Sequence, residues 1–109
     1  MKLGLSPAAA GLLRALIART GIDRDRILLS NYRSVDWQSL TFTGERHEIE
    51  LRIPGPYAES LAGRLTDGLG EAKFSVPAQI VADIGLQCPP LANPDGSVTI
   101  HIEALTVSE

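Results

Sequence analysis

The chain has 109 residues, 44% of them apolar and 21% charged, which fits one soluble domain built around a single core. Its net charge of −3 excludes a general attraction to nucleic acid or anionic membranes, and no Lys/Arg run makes a local basic stripe. A lone cysteine, Cys88, excludes an intramolecular disulfide and a cysteine-based zinc site, and accords with a reducing, cytoplasmic setting. Met1-Lys2-Leu3-Gly4 lacks the pattern of a leader, and no run approaches the roughly 20 apolar residues of a membrane span.

Ser6-Pro7 predicts a helix start: a hydroxyl N-cap, then proline where its missing N–H costs nothing. Ala9, Leu12, Leu13, Leu16 and Ile17 recur at helical spacing as the buried stripe. Gly21 is the expected left-handed stop. Opposite lies a line of small residues, Ala8, Gly11, Ala15 and Ala18. It reads either as an exposed face of good helix formers or as a close-contact surface for another copy. Beyond the polar Asp23 to Arg26, Ile27-Leu28-Leu29 is a short buried-strand candidate and Asn31-Tyr32-Arg33 a bend or bulge. Whether Ile27 to Thr43 forms one strand or two stays open at this point.

Trp37 to Ile53 reads as a β-hairpin with one apolar and one polar side. Leu40 and Phe42 alternate with Ser39, Thr41 and Thr43; His47, Ile49, Leu51 and Ile53 alternate with Arg46, Glu48, Glu50 and Arg52. Gly44-Glu45 suits a two-residue type II′ turn, which pairs Phe42 with His47, Leu40 with Ile49 and Gln38 with Leu51. That register sets Trp37 opposite Arg52 on the polar side, as a stacked cation–π pair.

Pro54-Gly55-Pro56 ends the hairpin, with Pro56 at the first position of a second helix. Its inward face is Ala58, Leu61, Ala62, Leu65 and Leu69, and Gly70 ends it. From Lys73 the period returns to two. Phe74, Val76, Ala78, Ile80, Ala82, Ile84 and Leu86 share one side, and Pro77 marks an edge or bulge. Asn93-Pro94-Asp95-Gly96 matches a type I turn. The last strand sets Val98, Ile100, Ile102 and Ala104 against Thr99, His101 and Glu103, and its alternation breaks at Ala104-Leu105. Among registers for these two strands, one placing Asp83 beside His101 is favoured over one placing it beside Glu103, a like-charge contact.

An offset of 49 residues aligns Pro7 with Pro56, Leu12 with Leu61, Gly21 with Gly70 and Leu51 with Ile100. The expected architecture is one α+β domain over residues 1–109, with a possible pseudo-repeat of 6–54 and 55–107. It is a two-layer sandwich in the order α-β-β-α-β-β: four or five antiparallel strands with both helices on one face. The open face then carries Thr41, Glu48, Glu50, Arg52, Gln79, Asp83, His101 and Glu103.

Phosphate-binding, dinucleotide, nucleophile-elbow, zinc-protease and calcium-loop patterns are all absent. The best polar cluster is Asp83, His101 and Glu103, where a carboxylate beside an imidazole suits general base or metal chemistry. On an open sheet the same trio reads first as solvated cross-strand contacts. Cys88 reads as an inert small hydrophobe and His47 as a partly buried rim residue. The expected function is a non-enzymatic interaction module that forms a homodimer or meets a protein partner, through Trp37, Arg52 and Tyr32 or through the small-residue helix line. No cofactor, metal, nucleic acid or membrane partner is expected. The alternative is a small enzyme or ligand-binding domain whose pocket, between sheet and helices, is lined by His47, Tyr32 or Cys88.

Overall fold

The computed structural model describes residues 4–109, so the reading of Met1 to Leu3 lies outside it. Helices α1 (Pro7–Thr20) and α2 (Ala58–Thr66) cover one face of an antiparallel sheet. The sheet comprises β1 (Leu28–Gln38), β2 (Thr43–Ile53), β3 (Gln79–Leu86), the short β4 (Leu91–Ala92) and β5 (Val98–Ser108). Strand order is β1-β2-β5-β3, with β4 joined to the start of β5. This is the expected α+β sandwich.

The α1 helix follows its sequence signals closely. Ser6 Oγ accepts from the Ala9 amide at 3.1 Å, Pro7 opens the first turn, and Gly21 stops the helix at φ 67°. Ala9, Leu12 and Leu16 are buried, with Leu13 and Ile17 packed beside them. The small-residue line, however, is no open face. Ala8 and Gly11 are buried, and a Cβ on Gly11 would stand 2.8 Å from Val76 Cγ1. The chain's own segment before β3 takes the place expected for another copy, leaving only Ala18 exposed.

The core is centred on β2 and β5. Ile49 faces Ile102, Leu51 faces Ile100 and Ile53 faces Val98, and all six are buried against Leu12, Leu16, Ala58, Ala62 and Leu65. Each such aliphatic side chain contributes about 1.5–3 kcal/mol on burial. Leu51 and Ile100, which the 49-residue offset aligns, meet directly, whereas β1 and β3 join their neighbours in different registers.

Three expectations need correction. The first is the hairpin. Its turn is Ser39 to Phe42, not Gly44-Glu45, and Gln38 pairs with Thr43, Ser34 with His47, Tyr32 with Ile49. The Ser39 amide donates to the Phe42 carbonyl at 2.8 Å, and the Phe42 amide donates to Ser39 Oγ at 3.1 Å. A serine hydroxyl thus closes a turn that carries no glycine. Leu40, Thr41 and Phe42 lie at the tip in solvent, with Leu40 104% and Phe42 54% exposed. The slip spans an even number of residues, so each β2 side chain keeps its expected face. Gly44 serves another need: a Cβ there would lie 2.0 Å from the Thr106 carbonyl oxygen of β5. Within the segment Ile27 to Thr43, Leu28–Gln38 forms one strand with a bulge at Ser30, between Leu29 and Asn31, and Thr43 already begins β2.

The second correction concerns β3, which starts at Gln79 rather than near Phe74; Pro77 and Ala78 form a turn closed from the Gln79 amide to the Val76 carbonyl. A bulge at Ala82 then changes the facing residue, so Val81 packs on the core and Ile80 faces solvent. β5 continues unbroken past Ala104-Leu105; the irregularity expected there sits across the ladder, on β3.

The third concerns α2. Its inward face is as expected, but Pro56 precedes the helix: Tyr57, at φ 69°, is the N-cap. The helix ends at Thr66, and Gly68 in the left-handed region leads to a 3₁₀ turn at Leu69–Glu71. The Asn93–Gly96 turn forms as read, its Gly96 amide bonding the Asn93 carbonyl at 3.0 Å.

These contacts rank substitutions. Leu51→Ala is expected to cost about 2–5 kcal/mol, and Leu40→Ala less than about 0.5 kcal/mol, by urea denaturation. Gly44→Ala should cost about 1–3 kcal/mol through overpacking on β5. Gly63→Ala should gain about 0.5–1 kcal/mol, since its Cβ meets nothing within 4 Å inside a helix. Equal effects at Leu51 and Leu40 would contradict the register.

Candidate functional site

The open face of the sheet is a charged ladder. Arg33 of β1, Glu48 of β2 and Glu103 of β5 stand in one row; Asn31, Glu50 and His101 stand in the next. Arg33 meets Glu48 at 3.2 Å, offsetting the like charge of Glu103 beside it. Gln87 Nε2 donates to the same Glu48 at 3.2 Å, and His101 Nδ1 lies 3.6 Å from Glu50 Oε1. Asn31, Arg33, Glu48, Glu50, Gln87 and His101 line a shallow depression of about 280 Å³, with Glu103 outside it.

The polar trio of the sequence reading does not assemble. Asp83 faces Leu105, Glu103 faces Gly85, and the His101 carbonyl receives the Gln87 amide. The partner of His101 is Glu50, on the neighbouring central strand. Sequence reasoning missed it because it paired strands only within hairpins; aligning the apolar rows of β2 and β5 would have found it. Among the described residues, no three His, Cys, Asp or Glu side chains gather to hold a metal ion.

Trp37, Arg52 and Tyr32 are likewise separate. Trp37 sits at the turn end of β1 opposite Gly44, with Val107 and Ile80 continuing its row. Arg52 lies eight positions along β2 from Gly44, roughly 26 Å away at strand rise, so the expected Trp–Arg stack does not form. The Arg52 guanidinium instead pairs with Asp95 and donates to Ser97 Oγ at 3.2 Å. Hydrogen bonds from the Ser97 hydroxyl and amide, then Arg52, hold the Asp95 carboxyl below its usual range. Tyr32 points to the opposite face from Trp37, into the core, its ring 6.4 Å from that of His47. Its hydroxyl is buried without a hydrogen-bond partner among the described residues.

His47 is no rim residue: it exposes 0% of its surface. Its Nε2 lies 2.9 Å from Thr106 Oγ1 and its Nδ1 3.4 Å from Ser34 Oγ, which donates to Glu45 Oε1 at 2.8 Å. One proton arrangement satisfies the chain. Thr106 donates to Nε2, Nδ1–H donates to Ser34, and Ser34 donates to Glu45. Thr106 and His47 have the spacing of a nucleophile and its base. Both are fully buried, so the network serves to satisfy polar groups that would each cost about 1–3 kcal/mol unpaired. Cys88 is a half-buried free thiol just beyond β3.

Among the described residues, β1 is bonded on one side only, which leaves its outer edge open. The edge at β3 has the 3₁₀ turn of Leu69–Glu71 packed against it. From Asn31 onward, beyond the bulge, the Ser39-to-Phe42 bond places odd-numbered β1 amides toward β2, and even-numbered ones outward. Accordingly, the Tyr32 amide turns outward and is met by its neighbour's Asn31 Oδ1 at 2.9 Å. No helix among the described residues is long and apolar enough to cross a membrane. Comparison with known proteins finds no matching family model, curated protein or solved structure.

Burial lowers the His47 pKa from its ordinary 6.5, and the Glu45 charge opposes this in part. The unfolded chain therefore binds a proton that the folded chain refuses until lower pH. Stability falls as pH drops through 6.5 and levels off below the folded-state value. His47→Gln should flatten this slope in urea denaturation between roughly pH 7.5 and 5. An unchanged slope would remove His47 as its source.

Proposed function

We propose that this protein is a non-enzymatic binding module that works by self-association. The observation that carries the reading is where its apolar side chains meet solvent. Of seven large exposed hydrophobics among the described residues, Leu28, Val35, Leu40 and Phe42 all belong to β1 or the turn that follows it. A concentration of this kind along a free strand edge marks a contact surface or an aggregation hazard. The charged ladder on the open face carries both signs, which suits a protein surface better than a nucleic acid. The lone free Cys88 accords with a reducing compartment, and so with a cytoplasmic setting.

Light scattering across a concentration series tests the reading. At tens of micromolar the expected mass is twice the 11.7 kDa of the chain. The single tryptophan, Trp37, sits beside the free edge, so its fluorescence should change on dilution through the dissociation range. A monomer at every concentration, with constant emission, would contradict the proposal.

A further inference from the structure

Resting on the self-association reading, we infer that two copies join by antiparallel pairing of their β1 strands about a two-fold axis at Val35. Such an axis stands perpendicular to the sheet, keeps both helical layers on one side, and must pass through a residue of β1. An axis through Arg33 or Asp36 sets a charge against its own copy. One through Ser34 leaves Val35 opposite Arg33 of the second copy. The axis at Val35 brings its side chain, 47% exposed, against itself. It also sets Arg33 opposite Trp37 of the second copy, twice, a cation over an indole face.

The backbone agrees with this choice. Ser34, Asp36 and Gln38 direct their amides and carbonyls to the free edge, by the alternation that the Ser39–Phe42 bond defines. The Val35 axis pairs Ser34 with Asp36 and Tyr32 with Gln38, outward residue with outward residue, the Tyr32 amide exchanging its own Asn31 Oδ1 for the Gln38 carbonyl of the second copy. Val35 then meets its copy as a non-hydrogen-bonded pair.

A second observation, independent of the strand edge, fits the same axis. Between α1 and the start of β1 runs a groove of about 360 Å³, lined by Leu13, Ile17, Ile27 and Leu29 together with the charged Arg24 and Asp25. Leu40, wholly in solvent at the hairpin tip, lies five residues after Val35. Leu29 lies five ladder steps before Val35, because the bulge loops Ser30 out of the count. Pairing about Val35 therefore brings the Leu40–Phe42 tip of each copy, about 17 Å from the axis, to the mouth of the other's groove. Leu40 and the aliphatic side of this groove thus come together, twice, in a closed dimer.

The test uses the full chain in a Cys88→Ala background. Val35→Cys is expected to form an intermolecular disulfide under mild oxidation, since a non-hydrogen-bonded antiparallel pair holds its Cα atoms about 4.5 Å apart, within disulfide range. Leu40→Asp, at a position with no contacts to lose within the monomer, should keep the fold by circular dichroism and raise the dimer dissociation constant at least about tenfold. A dimer that persists without the Val35→Cys cross-link and ignores Leu40→Asp overturns this interface, while self-association stands. A wild-type monomer at tens of micromolar overturns both. A disulfide together with a weakened Leu40→Asp dimer supports both.

Discussion

The structure depends on the ladder between β2 and β5. Along it, Ile49, Leu51 and Ile53 meet Ile102, Ile100 and Val98 on the covered face, and nearly everything else is placed by reference to that row. Both helices bury their stripes on it, and both outer strands hang from it. With so few aromatic residues in the chain, close packing of branched aliphatics carries the hydrophobic contribution. The backbone approach is tight enough at its end that Gly44 has no room for a side chain beneath Thr106.

From that ladder follows the inequality of the two sheet edges. The β3 edge is shortened by the Pro77–Ala78 turn, twisted by the Ala82 bulge and flanked by the 3₁₀ turn after α2. The β1 edge is long and carries fewer defences: a bulge at Ser30, the Asn31 side chain on the Tyr32 amide, and the charges of Arg33 and Asp36. Natural sheets guard such edges or use them. The exposed apolar residues along this one fit use.

How much of this was legible in the sequence varied with the range of the contact. The α1 helix was readable throughout, because Ser6, Pro7 and Gly21 act within a few residues of the bonds they satisfy. The facing of β2 and β5 was readable because alternation is local. The hairpin turn was not: Gly44 attracted the turn assignment, whereas the glycine answers to β5, some sixty residues away in sequence. Leu40-Thr41 carries no turn signature, and the Ser39 hydroxyl that closes the turn is a weak one. The strand face survived the error only because the slip was even. The Glu50–His101 contact and the burial of His47 depend on the central pairing, which local patterning does not report. The small-residue line on α1 misled for the same reason: its partner, Val76, comes from a distant segment of the same chain.

Amide hydrogen exchange along β1 tests the central claim most directly, because each residue there answers to one side of the strand. Arg33, Val35 and Trp37 bond toward β2 and should be protected at any protein concentration. Ser34, Asp36 and Gln38 face the free edge and should gain protection only as concentration rises through the association range. Exchange at those three residues that stays fast at every concentration would contradict the account.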